Sequence, residues 1–168
     1  LTGIGNRRFL DASFQGVIDQ CQLHRTSLGV LVIDADYFKR VNDMHGHLVG
    51  DRCLQHIASI LQRSARRNLD LLVRYGGEEF ILVLPATDSN GVLTIAEEIR
   101  QSIESDSLSI QGKEIRLTVS VGVHVSVPDA TDDAESLLLK ADEALYTAKR
   151  KGRNRVEVYR HGLDPLKA

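Results

Sequence analysis

Between positions 115 and 127 every second residue is aliphatic: Ile115, Leu117, Val119, Val121, Val123, Val125 and Val127. Side chains of an extended chain alternate between two faces, so this period of two demands a β-strand whose apolar face another layer must cover. That strand is expected to be long and half-buried. The covering layer is found nearby. Val92, Ile95, Ala96, Ile99 and Ile103 recur at helical spacing, as do Leu138, Ala141, Leu145 and Ala148.

The rest of the chain fits the same plan. Leu10, Phe14, Val17, Ile18 and Cys21 mark a first helix, and Leu54, Ile57, Ala58 and Leu61 a second. Leu28 to Ile33 is a short apolar run, as a strand buried on both sides requires. Leu71 to Tyr75 and Phe80 to Leu84 flank Gly76-Gly77, the signal of a β-hairpin. Asp88-Ser89-Asn90 caps the helix that follows. Asp132 with Glu135 suits a capping box at the start of the last helix, and Gly152 suits its stop. Val156 to Tyr159 is expected as an edge strand. The expected order is α-β-α-β-β-α-β-α-β, helices mixed with a largely antiparallel sheet.

Composition narrows the class. At 168 residues, 42% hydrophobic and 26% charged, the chain suits one soluble domain. Cys21 and Cys53 lie inside apolar helical patterns and read as reduced core thiols. With no run of 18 apolar residues and no signal peptide, the segment is expected to be cytoplasmic, without direct membrane contact. Its opening at Leu1 rather than Met fits a domain excised from a longer parent, one that could be tethered to a membrane or sensor region. A net charge of −2 provides no field for nucleic acid. Positive charge is nevertheless clustered in Arg63-Ser64-Ala65-Arg66-Arg67 and in Lys149 to Arg155, where a small anionic ligand is the sharper alternative to a solvated face.

Four groups of residues can carry chemistry. The first strand ends in Asp34-Ala35-Asp36, where alternation sends both carboxylates to one side, an arrangement suited to Mg²⁺. The hairpin tip carries Glu78-Glu79, adjacent like charges that a cation relieves. If the hairpin lies beside the first strand, Asp34, Glu78 and Glu79 converge and a two-metal phosphoryl-transfer centre becomes plausible. Lys39 with neighbouring backbone amides suits phosphate. Asn42 and Asp51 can read guanine, an amide plus a carboxylate against its edge, although each also suits an ordinary turn or cap. Lys149 and Arg153 flank the end of the last helix, where the dipole favours cations in any case. His45 and His47, without a cysteine partner, make a poor zinc site, and no Walker-type phosphate loop is present.

Taken together, these segments resemble the GGDEF family of diguanylate cyclases over nearly the whole chain. The carrying strings are Leu1 to Arg8, Asp34 to Asp43, Gly46 to Asp51, Arg74-Tyr75-Gly76-Gly77-Glu78-Glu79-Phe80, and Ala141 to Asn154. The signature has Glu in its variable acidic place, a GGEEF variant. The resemblance implies an α/β (α+β) palm-like nucleotidyl-cyclase fold: a central, mainly antiparallel five-stranded sheet flanked by helices, plus a small hairpin. The domain would span 1–160, with a C-terminal tail at 161–168. The implied reaction condenses two GTP into cyclic di-GMP and two pyrophosphates in an antiparallel homodimer. By position, Asp34, the Ala35 carbonyl, Glu78 and Glu79 would hold Mg²⁺ (or Mn²⁺), two ions per site. Glu79, Glu78 and Lys39 are the expected catalytic residues, with Glu79 the candidate base. Phe38, Lys39, Asn42, His47, Asp51, Lys149 and Arg153 would bind substrate. Arg67 and Asp70 match the family's Arg-x-x-Asp inhibitory site for cyclic di-GMP, and Glu98 stands where some relatives have a further arginine. The rival expectation is a catalytically silent domain that binds GTP or cyclic di-GMP as a sensor.

Overall fold

Strand β2 (Leu28–Ala35) is buried along its whole length, which is why its run is apolar at both parities rather than alternating. It pairs antiparallel with β4 (Glu79–Pro85) on one side and with β7 (Val119–Ser126) on the other. Outside them lie β3 (Leu71–Gly76), β8 (Val156–Val158) and the two-residue β1 (Gly5–Asn6). The sheet order is β1-β3-β4-β2-β7-β8, and only the outermost pairings, β1 with β3 and β7 with β8, are parallel. The five expected strands are therefore present, and β1 adds a short sixth at the edge. This computed structural model describes residues 1–65, 67–110 and 112–160. Arg66 of the basic run and the 161–168 tail lie outside the described residues.

Helices cover both faces. α1 (Arg7–His24) and α5 (Ala134–Arg150) lie on one face, where Leu10, Phe14 and Ile18 meet Leu137, Ala141 and Leu145 over Val30, Val32, Ile81 and Val83. α3 (His47–Ser64) and α4 (Ser89–Ser105) lie on the other, over Leu31, Ile33, Phe80, Leu82, Val121 and Val123. The caps are local: Asn6 accepts from the Phe9 amide at 3.0 Å, and Asp88 from the Gly91 amide at 2.8 Å. α5 presses on β7 at Gly122, where a Cβ would collide with the Ala141 carbonyl and the Leu145 amide. Cys21 and Cys53 are buried free thiols in separate cores on opposite faces, as expected. Among the described residues no helix is long and apolar enough to cross a membrane.

Four local expectations need correction. The alternating run from 115 to 127 is not one strand. It breaks after Arg116, and β6 (Lys113–Arg116) turns away to pair with β5 (Ser107–Ile110) as a separate hairpin. Ile110, Ile115 and Leu117 still feed the α3/α4 core, so the apolar alternation continues across a break in the backbone. Nor is β7 half-buried, since Ser120 and Gly122 are covered as fully as Val121. The last helix is boxed by Asp133 and Ser136, not by Asp132 and Glu135; Asp132 instead accepts from Lys140 at 2.9 Å. Finally, α2 (Phe38–His45) forms a helix of its own, separated from α3 by Gly46 at φ 84°. Asp51 thus sits inside α3 rather than at its start.

Candidate functional site

The faces of β2 and β4 are set by alternation, and the α1/α5 face turns polar where these strands meet the hairpin. Val30 and Val32 on β2 are followed by Asp34. Val83 and Ile81 on β4 lead to Glu79, which is Asp34's register partner. Ala35 points to the opposite face and is 1% exposed, and its amide donates to the Glu78 carbonyl at 3.2 Å. The hairpin turn is Gly77-Glu78, one residue later than expected. The register shifts between Arg74 and Gly76, so that Gly76 pairs with Glu79 and Gly77 takes φ 28°. Arg74 fixes the turn by donating twice to the Gly77 carbonyl, at 2.9 and 2.7 Å. Nothing in the local pattern singled out that arginine.

Asp34 is 7% exposed and pairs with Lys149 Nζ at 2.9 Å. Burial pushes its carboxyl above the usual range. Lys149 works against this, and the charges of Glu78 and Glu79 reinforce it. The acidic cluster is therefore electrically coupled, but the carboxylates are not gathered into a ready cage. Among the described residues no three His, Cys, Asp or Glu side chains come together as a metal site. Lys149, expected at a triphosphate, instead neutralises Asp34 directly. The donor chemistry, carboxylates and backbone carbonyls, does fit a hard cation such as Mg²⁺. Glu79 also lines an open cavity of about 600 Å³ with Arg7, Asp11, Tyr75 and Asp142, where the Arg7 guanidinium lies 4.9 Å from the Tyr75 ring.

Asp36 is a correction to the expected acidic pair. It lies beyond the end of β2 and spends both oxygens inside the protein. Ser120 Oγ donates to Oδ1 at 2.7 Å, while Thr118 Oγ1 and the Asn154 amide donate to Oδ2 at 2.8 and 3.0 Å. The next residue, Tyr37, takes φ 55° and stands at the N-terminus of α2 without a side-chain cap. The first amides of α2, at Phe38 and Lys39, are those a helix leaves without intrahelical partners. Phe38 is buried and Lys39 exposed. The Tyr37 ring lies beneath Arg153, whose guanidinium is 4.6 Å from its centroid. Lys149, Arg153 and Asp34 thus collect around the ends of β2 and α5, and Lys39 stands in the first turn of α2.

Asn42 on α2 lies against α3 at Gly50, the residue before Asp51. Glycine makes this approach possible, since a Cβ at position 50 would collide with the Asn42 amide oxygen. His47 is exposed at the start of α3. In the basic loop after α3, the Arg67 amide donates to Asp70 Oδ2 at 2.9 Å, and the Arg67 guanidinium reaches Thr87 Oγ1 at 3.2 Å and the Ala86 carbonyl at 3.4 Å. The other oxygen, Asp70 Oδ1, is buried and has no hydrogen-bond partner among the described residues. A buried acceptor is costly to leave unpaired, so this oxygen is open to a further donor. Glu98 is exposed on α4.

Known proteins resemble this chain in sequence and fold. The diguanylate cyclase DosC of Escherichia coli K12 is 42% identical over 164 residues, covering 97% of this chain and 35% of DosC. The GGDEF domain of DgcB from Caulobacter crescentus, solved in complex with c-di-GMP, superposes with a TM-score of 0.89 at 33% identity, covering 94% of this chain and 90% of that one. The active GGEEF domain of a diguanylate cyclase from Vibrio cholerae gives a TM-score of 0.86 at 34% identity, covering 95% and 99%. The chain spans little more than a third of the curated relatives it matches, 37% and 35% for the first two. The family model described as "Diguanylate cyclase, GGDEF domain" matches residues 1–155. With sheet, hairpin signature and flanking helices all in place, the chain belongs to the diguanylate cyclase GGDEF domain family.

Proposed function

We propose that this domain binds GTP with Mg²⁺ (or Mn²⁺) and, as an antiparallel homodimer, condenses two GTP into cyclic di-GMP and two pyrophosphates. The observation that carries the reading is Asp34 on β2, in register with Glu79, adjacent to Glu78 and held in a salt bridge by Lys149. Asp34, Glu78, Glu79 and the Ala35 carbonyl would hold the two metal ions. Bound there, the ions would neutralise phosphate charge and lower the pKa of the attacking hydroxyl.

The remaining work falls to this chain's residues. With a cation held at Asp34, Lys149 would be free to pair with the triphosphate. Arg153, Lys39 and the Phe38 and Lys39 amides bind phosphate oxygens, while Asn42 and Asp51 read guanine beside His47. Each bound 3′-hydroxyl attacks the α-phosphorus of the partner's GTP. Glu79 accepts the proton, and pyrophosphate departs as the P–O bond breaks. Two GTP must face one another, so the site is complete only in the dimer. Arg67 and Asp70 would bind product cyclic di-GMP and restrain the enzyme. Glu98 carries the wrong charge to add a phosphate contact across subunits. With GTP as substrate the domain works in the cytoplasm.

Incubation with GTP and Mg²⁺ tests the reading. Cyclic di-GMP should form, vanish with EDTA, and be lost in Glu78→Ala. The Arg67→Ala variant should keep turnover while its inhibition by added product weakens about tenfold or more, as for loss of a charged hydrogen-bonding group. Product formed in EDTA would contradict the metal assignment. Undiminished inhibition in Arg67→Ala would contradict the inhibitory one.

A further inference from the structure

The loop after α5 has an unusual backbone. Gly152, Arg153 and Asn154 all take positive φ, at 112°, 63° and 46°. For two non-glycine residues in succession that conformation costs about 1–2 kcal/mol each, so neighbouring contacts must sustain it. They do so from both sides of Arg153. Its own amide donates to the Ala148 carbonyl at 3.0 Å, closing the end of α5, and the next amide, at Asn154, donates to Asp36 at 3.0 Å. The Asn154 side chain is tied in turn to α4, accepting from Arg100 at 2.8 Å and donating to Glu104 at 2.7 Å. Asp36 is itself immobilised by Thr118 and Ser120 and is 5% exposed.

We infer that Asp36 is a positioning residue for the triphosphate: by holding the Asn154 amide it fixes Arg153 over Tyr37, beside the strand end that carries Asp34. Asp36 touches no substrate and acts through Arg153. One carboxylate therefore ties the end of the metal-side strand to the loop that brings the phosphate-binding cations. The inference rests on the proposed role of Arg153 at the triphosphate. Asparagine at position 36 has one acceptor oxygen for three donors, so the Asn154 amide must lose its strong partner or a hydroxyl must turn. Ser120→Ala removes a single donor and leaves the carboxylate in place.

The experiment measures the dissociation constant of 3′-deoxy-GTP with Mg²⁺, a nucleotide that lacks the attacking hydroxyl. Asp36→Asn and Ser120→Ala are compared alone, with Arg153→Ala, and with Asn42→Ala, each after a thermal melt. Asp36→Asn should weaken binding about tenfold and Ser120→Ala about twofold, the scale of a charged and a neutral hydrogen bond. In the Arg153→Ala background both effects should shrink to nothing, whereas in the Asn42→Ala background they should persist in full. Should Asp36→Asn not fold, the Ser120→Ala cycle decides the question at smaller amplitude. Effects that add in full to Arg153→Ala, or that vanish equally in both backgrounds, would overturn the inference while leaving the GTP reading intact. If Arg153→Ala itself binds like the unaltered chain, the role of Arg153 fails and the inference fails with it.

Discussion

The two faces of the central sheet are made by the same strands and used differently. Toward α3 and α4 the odd-numbered residues of β2 and β7 and the even-numbered residues of β4 stay apolar to the strand ends: Leu31, Ile33 and Ala35, Val119, Val121 and Val123, Phe80, Leu82 and Leu84. Toward α1 and α5 the opposite parity begins apolar, with Val30, Val32, Ile81 and Val83, and then turns to Asp34, Glu79 and Ser120 at one end. The first face is a core that sets stability. The second gives up apolar burial at one end and places carboxylates there, with Lys149 neutralising Asp34. The proposed metal-side carboxylates are therefore concentrated at one end of one face, and stability and metal chemistry should separate by parity.

Asp34→Asn should separate the two faces most widely. Turnover should fall at least about a thousandfold, roughly 4 kcal/mol of transition-state stabilisation. The thermal midpoint should stay within a few degrees, because Lys149 is partly exposed and can turn to water. Steady-state assays and a melt on the same preparation check both halves, and a large loss of stability would contradict the separation. Phe80→Ala, from the other face, should do the reverse. Phe80 is fully buried, and its truncation should cost about 3–4 kcal/mol in a denaturant titration. What folded protein remains should still bind GTP.

The smallest effect concerns His124, on the α1/α5 face but at the end of β7 remote from Asp34. Burial, helped by the charge of Lys140, lowers its pKa to about 4. Its ring hydrogen-bonds Ser126 Oγ at 3.1 Å and meets Tyr159 edge-on. A histidine whose folded pKa lies below its unfolded value of about 6.5 takes up protons preferentially on unfolding. Its stabilising contribution is complete above that pH and is lost as the pH falls toward 4, by about 1–3 kcal/mol. His124→Gln should flatten this part of the stability profile. An unchanged slope between pH 6.5 and 4 would assign the acid sensitivity elsewhere.

Much of this organisation was legible in the sequence, for reasons particular residues make plain. Burial on both faces leaves a continuous apolar run, so Leu28 to Ile33 announced the central strand. Asp34 and the Glu78-Glu79 tip stood out because carboxylates at the ends of apolar strands are conspicuous. The family strings around them are matched by the family model and the solved relatives. Asp36 was misread because its partners, Thr118, Ser120 and Asn154, are brought to it only by the fold. Alternation could say that it shared a parity with Asp34 but not that the strand had ended at Ala35. The 115–127 run misled for a similar reason: two strands of different sheets feed one core, and hydrophobic periodicity records the core rather than the backbone break. The turn at Gly77-Glu78 depends on a bulge at Tyr75, which no residue type in that stretch dictates.

The proposed reaction joins two molecules of GTP across a pair of protomers, with the polar end of the α1/α5 face as its metal side. It is tested most directly by cyclic di-GMP formed per protomer, measured with saturating GTP and Mg²⁺ over a wide range of protein concentration. The specific rate should rise with concentration until dimers saturate. Saturable GTP binding with no cyclic di-GMP at any concentration would contradict the claim.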